Sequence, residues 1–133
     1  MVARNAAAEN AVSDAMTLVE SIIKSQSARK VFDVRDDLII LDQAILNLRS
    51  VYCYPRPPIV QGNESICKDL LDLQDKVTDT LDDLKEVESD FFLNDYDRPD
   101  QIIRLISGLI KSEEFYHVKL QLKAIGTQPG RKK

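Results

Sequence analysis

Between Ser65 and Phe92 the apolar side chains Ile66, Leu70, Leu73, Val77, Leu84, Val87 and Phe91 recur in alternating steps of four and three, with Thr80 as the one polar member of the series. That spacing places them on a single stripe of an α-helix. Leu71 and Leu81 widen the stripe, and Asp69, Asp72, Asp75, Asp79, Asp82, Asp83, Glu86, Glu88 and Asp90 form an acidic back suited to water. Such a helix, roughly 40 Å long at about 1.5 Å per residue, cannot bury the stripe against itself. It requires partner helices.

Three further segments carry the same signal. From Ala3 to about Gln26 an alanine-rich helix places Val12, Ala15, Val19 and Ile22 on one face, broadened by Met16 and Ile23. Asp33 is the expected N-cap of a second helix, in which Val34, Leu38, Leu41, Ile45, Leu48 and Tyr52 repeat the four-three spacing beside Ile39, Ile40 and Ala44. It is the most apolar helix of the set and is expected to sit deepest. A fourth opens at Pro99 behind Asp97, with Ile102, Ile103, Ile106, Leu109 and Ile110 as its apolar face. Beyond Lys111, Val118, Leu120 and Leu122 alternate like a strand, whereas Phe115, Val118 and Leu122 fit a helix; a helical extension, bent or restarted at Ser112, is the preferred reading.

The second and third helices are joined by CYPRPPIVQGN, residues 53–63. Pro55, Pro57 and Pro58 remove donors and restrict the residues before them, so this segment is an extended crossover. The expectation is an all-α, up-down-up-down four-helix bundle over residues 1–125, with a possible short C-terminal helix and a flexible basic tail over 126–133. A chain of 133 residues suits one domain, and 44% apolar with 30% charged residues argues against disorder.

The net charge of −4 hides an asymmetry: residues 64–100 carry 13 acidic and 4 basic side chains, and the remainder 9 acidic and 14 basic. The basic charge is neither gathered on one face nor interleaved with aromatics, so nucleic-acid binding is not expected. No apolar run is long enough to span a bilayer. Met1 to Ala15 lacks the apolar segment of a secretory signal, which leaves open a native cytosolic start or a mature domain freed of its targeting segment.

Chemistry-bearing groups are sparse. His117 follows Glu114 in E-x-x-H spacing, as in di-iron bundles, but those sites need a second such pair, and the chain has one histidine. A phosphotransfer histidine assisted by Lys119 lacks the usual lysine-glycine surroundings. Asp95, Asp97 and Asp100 form a weak candidate turn for a hard cation, and carboxylates spread along a helix diverge. Glycine-rich phosphate loops, serine-histidine-acid sets and C-x-x-C motifs are missing. The reading is of a non-enzymatic protein without a cofactor or a metal. Cys53 and Cys67 face each other across the crossover, either as a disulfide worth about 3 kcal/mol or as two buried thiols in a reducing compartment.

The order of elements resembles the PsbQ family, the extrinsic four-helix subunits on the lumenal side of photosystem II. The likeness runs from about Ala8 to Leu122 and rests on VFDVRDDLIILDQAILNLRSV in the second helix, the proline-containing connection, DLLDLQDKVTDTLDDL in the third and the proline-led last helix. It lies nearer to a divergent algal relative than to the plant type, because the second helix lacks that type's aromatic residues. The resemblance implies a peripheral protein of the thylakoid lumen that docks on photosystem II core or other extrinsic subunits and stabilises the oxygen-evolving complex. It also favours a bridge between Cys53 and Cys67, given an oxidising lumen. Lys24, Arg29, Lys30 and Arg35, with Arg131, Lys132 and Lys133 of the tail, become the docking candidates, since charge steers encounter. The competing reading is a cytosolic helical adaptor or chaperone-like module that offers a groove to a partner's amphipathic segment.

Overall fold

A computed structural model describes residues 6–24, 31–53, 63–94 and 99–126. Among them are five α-helices and no strand: α1 (Ala6–Lys24), α2 (Val31–Tyr52), α3 (Asn63–Asn94), α4 (Pro99–Ile110) and α5 (Glu113–Gly126). The proline crossover after Cys53, the acidic residues Asp95 and Asp97, and the basic tail lie outside the described residues.

The long stripe of α3 packs as its spacing requires. Ile66, Leu70, Leu73, Val77, Leu84 and Val87 are buried, while Phe91 lies outside the described side chains. Thr80, the polar interruption, is buried as well, and its hydroxyl donates to the Lys76 carbonyl at 2.9 Å. Returning the hydrogen bond to its own helix lets a threonine occupy an apolar seam without an unmet polar group.

α2 lies between α1 and α3, and α4 and α5 pack on α3 and on α1. Side-chain pairs fix the directions. Tyr52 at the end of α2 reaches Glu9 near the start of α1, so those two helices are antiparallel. Arg35 meets Glu88 and Arg49 meets Gln74, which sets α3 antiparallel to α2. The shared core takes Val12, Val19 and Ile22 from α1, Leu38, Leu41, Ile45 and Leu48 from α2, and Ile102, Ile106 and Leu109 from α4. Each such side chain stabilises by about 1.5–3 kcal/mol on burial.

Several expectations are corrected. α2 starts at Val31, so Asp33 is not its N-cap; it stands in the first turn, where its carboxylate meets the positive end of the helix dipole. Nor are the apolar residues beside the α2 and α3 stripes all covered: Leu71 of α3 is 41% exposed. Ile39, Ile40, Leu46 and Val51 point outward, because only one side of α2 faces the core and a helix apolar nearly all round must leave some of that surface in water. Ile103, expected on the buried face of α4, is also exposed.

The ambiguous C-terminal stretch is helical. Phe115 and Val118 are buried and Leu122 is half-buried, whereas Leu120 is 50% exposed, as the helical period and not strand alternation demands. The break falls at Ser112. Its hydroxyl accepts from the Phe115 amide at 3.2 Å and donates to the Leu109 carbonyl at 2.6 Å, capping α5 while closing α4. Glu113 and Glu114 follow in the first turn, on the favourable side of the α5 dipole.

Candidate functional site

The most heavily tied region is the end of α2. Cys53 follows the last turn of α2, its amide donating to the Arg49 carbonyl at 2.7 Å. Its sulfur is joined to Cys67, in the opening turns of α3, with an S–S distance of 2.18 Å and a Cα–Cα distance of 5.8 Å. That separation lies within the range disulfides occupy. One residue earlier, the Tyr52 hydroxyl donates to the Glu9 carboxylate, and both side chains are buried, at 6% and 4% exposure. α2 is therefore fixed to α3 by a covalent bond and to α1 by a buried hydrogen bond within two consecutive residues.

The same side of α2 carries a relay of polar contacts to α3. Arg49 Nη1 donates to Gln74 Oε1 at 2.6 Å, and Gln74 Nε2 donates to Asp42 Oδ1 at 3.3 Å. Farther along, Arg35 Nη1 donates to both oxygens of Glu88, at 2.9 and 3.1 Å, with its guanidinium 5.5 Å from the centre of the Phe32 ring. Arg35 is thus committed to holding α2 on α3. Of the basic docking candidates, Lys24 ends α1 exposed, and Arg29, Lys30, Arg131, Lys132 and Lys133 lie outside the described residues.

Between α1 and α5 a cavity of about 260 Å³ opens to the surface, floored by Met16 and Leu122 and lined by Ser13, Thr17 and the buried Glu9. Lys119 donates to Glu20 across its mouth. A smaller hollow of about 180 Å³ between α3 and α4 has Asp83 and Glu86 on one wall and Arg104 on the other. Elsewhere on α3 the Lys68 amine is raised above its ordinary value of 10.5, chiefly by its hydrogen bond to Asp72 and then by that carboxylate's charge.

His117 is exposed on α5, its ring centre 6.2 Å from that of Tyr116. Among the described residues no three His, Cys, Asp or Glu side chains are grouped so that they could hold a metal ion. Likewise, no described helix is long and apolar enough to cross a membrane.

Sequence reasoning missed Glu9. Its register was visible, since Glu9, Val12 and Met16 follow the stripe of α1 at helical spacing, but a carboxylate on an apolar stripe does not announce which hydroxyl will meet it. The Glu20–Lys119 pair, separated by 99 positions, has no local signal at all. The chain matches no protein-family model, no curated protein and no solved structure.

Proposed function

We propose that this chain is a non-enzymatic docking subunit, similar to PsbQ proteins, that attaches peripherally to the lumenal side of photosystem II and stabilises the oxygen-evolving complex. In this reading the helices form an up-down-up-down four-helix bundle. α4 and α5 share the fourth position, and the proline-rich residues 54–62 cross from α2 to α3.

The observation that carries the proposal is the Cys53–Cys67 bridge, which favours an oxidising compartment because cytosolic reductants keep such pairs as thiols. Arg35 with Glu88, Arg49 with Gln74, and Lys119 with Glu20 hold helices together, which suits a rigid protein whose work is attachment.

Thiol titration of the protein trapped directly from its native source is the first test. The proposal expects no reactive thiol after denaturation without reductant; two would place the chain in a reducing compartment. Rebinding to salt-washed photosystem II membranes is the second. The wild-type protein binds, and a variant with Arg29→Glu and Lys30→Glu binds more weakly, with the difference shrinking as salt rises. Failure of the folded wild type to rebind removes the photosystem assignment.

A cytosolic adaptor draws its support from the cavity between α1 and α5, whose Met16 and Leu122 floor suits an apolar side chain of a partner segment. The thiol titration separates the two readings.

A further inference from the structure

The ties at the end of α2 lie in series. Cys67, in the opening turns of α3, is bonded to Cys53; the adjacent Tyr52 reaches Glu9 of α1; and Glu9 lines the cavity between α1 and α5. Chain length alone does not enforce the first of these ties. Extended, the connection from Cys53 to Asn63 can span roughly 30 Å, whereas the bridge holds the Cα atoms of Cys53 and Cys67 at 5.8 Å. The bridge also acts where a helix is weakest. The last carbonyls of α2 have no partner farther along the helix, so this turn opens more readily than the middle of α2.

We infer that the Cys53–Cys67 bridge is a redox latch on this series: its reduction frees the last turn of α2, releases Tyr52 from Glu9 and loosens the α1 wall of the cavity. The reductant is a dithiol. Its thiolate attacks the sulfur of Cys67, forming a mixed disulfide, and Cys53 leaves as a thiolate that takes up a proton. The second thiol of the reductant then displaces Cys67, so that two electrons pass to the protein, which keeps two thiols, and the reductant departs as a disulfide. Access favours Cys67 as the point of attack, since it is only partly buried and Cys53 is 5% exposed.

The step from α2 to the cavity follows from burial. Tyr52 and Glu9 are 6% and 4% exposed, and their bond lasts only while both helix ends stay packed. When Tyr52 moves with the turn that holds it, the Glu9 carboxyl is short of one bond in a buried place. The cavity beside it opens to the surface, so Glu9 and the first turns of α1 gain by shifting toward water. Asn10 and Ser13, which line the same cavity, move with them. The shape of the cavity thus depends on the state of the bridge. The inference rests on the bridge and its neighbours and is independent of the photosystem reading.

Amide hydrogen exchange of the full chain, followed residue by residue by NMR before and after dithiothreitol, tests it. Reduction is expected to speed exchange at least about tenfold at Val51, Tyr52 and Cys53, and likewise at Asn10 to Ser13, whose helical bonds reach back to Ala6–Glu9. Leu38 to Ile45 and Val77 to Leu84, in the middle of α2 and α3, should exchange as before. Tyr52→Phe, kept oxidised, is expected to speed exchange at Asn10 to Ser13 by itself, and reducing that variant should add no more than about twofold there. Faster exchange confined to the neighbours of Cys53 and Cys67 overturns the inference. So does a uniform rise across α1 to α5, which would make reduction a loss of the whole fold. A Tyr52→Phe chain whose α1 responds to reduction as the wild type does also overturns it, because the effect would then reach α1 by another route.

Discussion

The Tyr52 hydroxyl donates to the Glu9 carboxylate in the interior, joining the last turn of α2 to the first turns of α1. Removing one partner of a buried hydrogen bond leaves the other polar group short of a partner, at the cost of its desolvation. Tyr52→Phe keeps the ring and deletes only that donor. The expected loss is about 1–3 kcal/mol, measured as a drop in urea midpoint at constant slope. Glu9→Gln keeps an acceptor oxygen for the hydroxyl and should cost less. A Tyr52→Phe midpoint equal to the wild type would mean that the hydroxyl is not held by Glu9.

The neighbouring bridge acts on the unfolded chain. Cys53 and Cys67 are 14 positions apart, and closing a loop of that length removes unfolded-state entropy equivalent to about 3 kcal/mol. Replacing both cysteines with serine should lower stability by about that amount. Because the bridge and the Tyr52–Glu9 bond clamp the same end of α2, the combined variant should depart from additivity. Denaturant curves of the two single changes and the combination give the coupling. Strict additivity would mean that the two clamps act independently.

How far the fold can be read from the chain differs by element. In α3 the polar residues are numerous enough to leave one apolar stripe, so Ile66, Leu70, Leu73, Val77, Leu84 and Val87 are legible as core from spacing alone, whereas Leu71 at its margin is exposed. In α2 the four-three spacing picks out Val34, Leu38, Leu41, Ile45, Leu48 and Tyr52, all of them buried, but it does not say that Ile39 and Ile40, apolar and beside that stripe, stay in water. What decides is which sides of α2 the neighbouring helices cover, a property of packing. The cysteine pair illustrates a second limit. Spacing brought Cys53 and Cys67 to one end but suited a bridge and two thiols alike. The Tyr52–Glu9 and Glu20–Lys119 contacts depend on the axial register between helices, to which a one-dimensional pattern is blind.

The two sides of α2 give a direct comparison. Leu41 is fully buried, and Leu41→Ala removes side-chain atoms from a close-packed site, at an expected cost of about 2–5 kcal/mol. Ile40→Ala, one residue away on the outer side, should fall within about 0.5 kcal/mol of the wild type in dilute solution. Chemical denaturation provides the measurement. Equal costs at the two positions would mean that α2 is rotated from the orientation described.

Arg35 gives the last prediction, because it separates holding the fold together from docking. Its guanidinium reaches both oxygens of Glu88 and lies over Phe32, while Asp36 stands 3.7 Å away. The Arg35 side chain is 40% exposed and that of Glu88 14%, so the pair is screened less than one lying wholly in water, although part of its attraction is still lost to solvent. A double-mutant cycle of Arg35→Ala and Glu88→Ala is expected to return a coupling of about 0.5–1 kcal/mol, reduced but not abolished by high salt. Arg35→Lys should recover only part of it, since an ammonium on a flexible stem offers neither the planar fork that meets two oxygens nor the flat surface that covers Phe32. If Arg35 serves α2 and α3 in this way, its loss lowers the unfolding midpoint and leaves partner binding by the folded protein unchanged, whereas Lys24→Ala, at an exposed helix end, spares the midpoint. Zero coupling in the cycle, together with weakened binding by a fully folded Arg35→Ala chain, would return Arg35 to the docking surface.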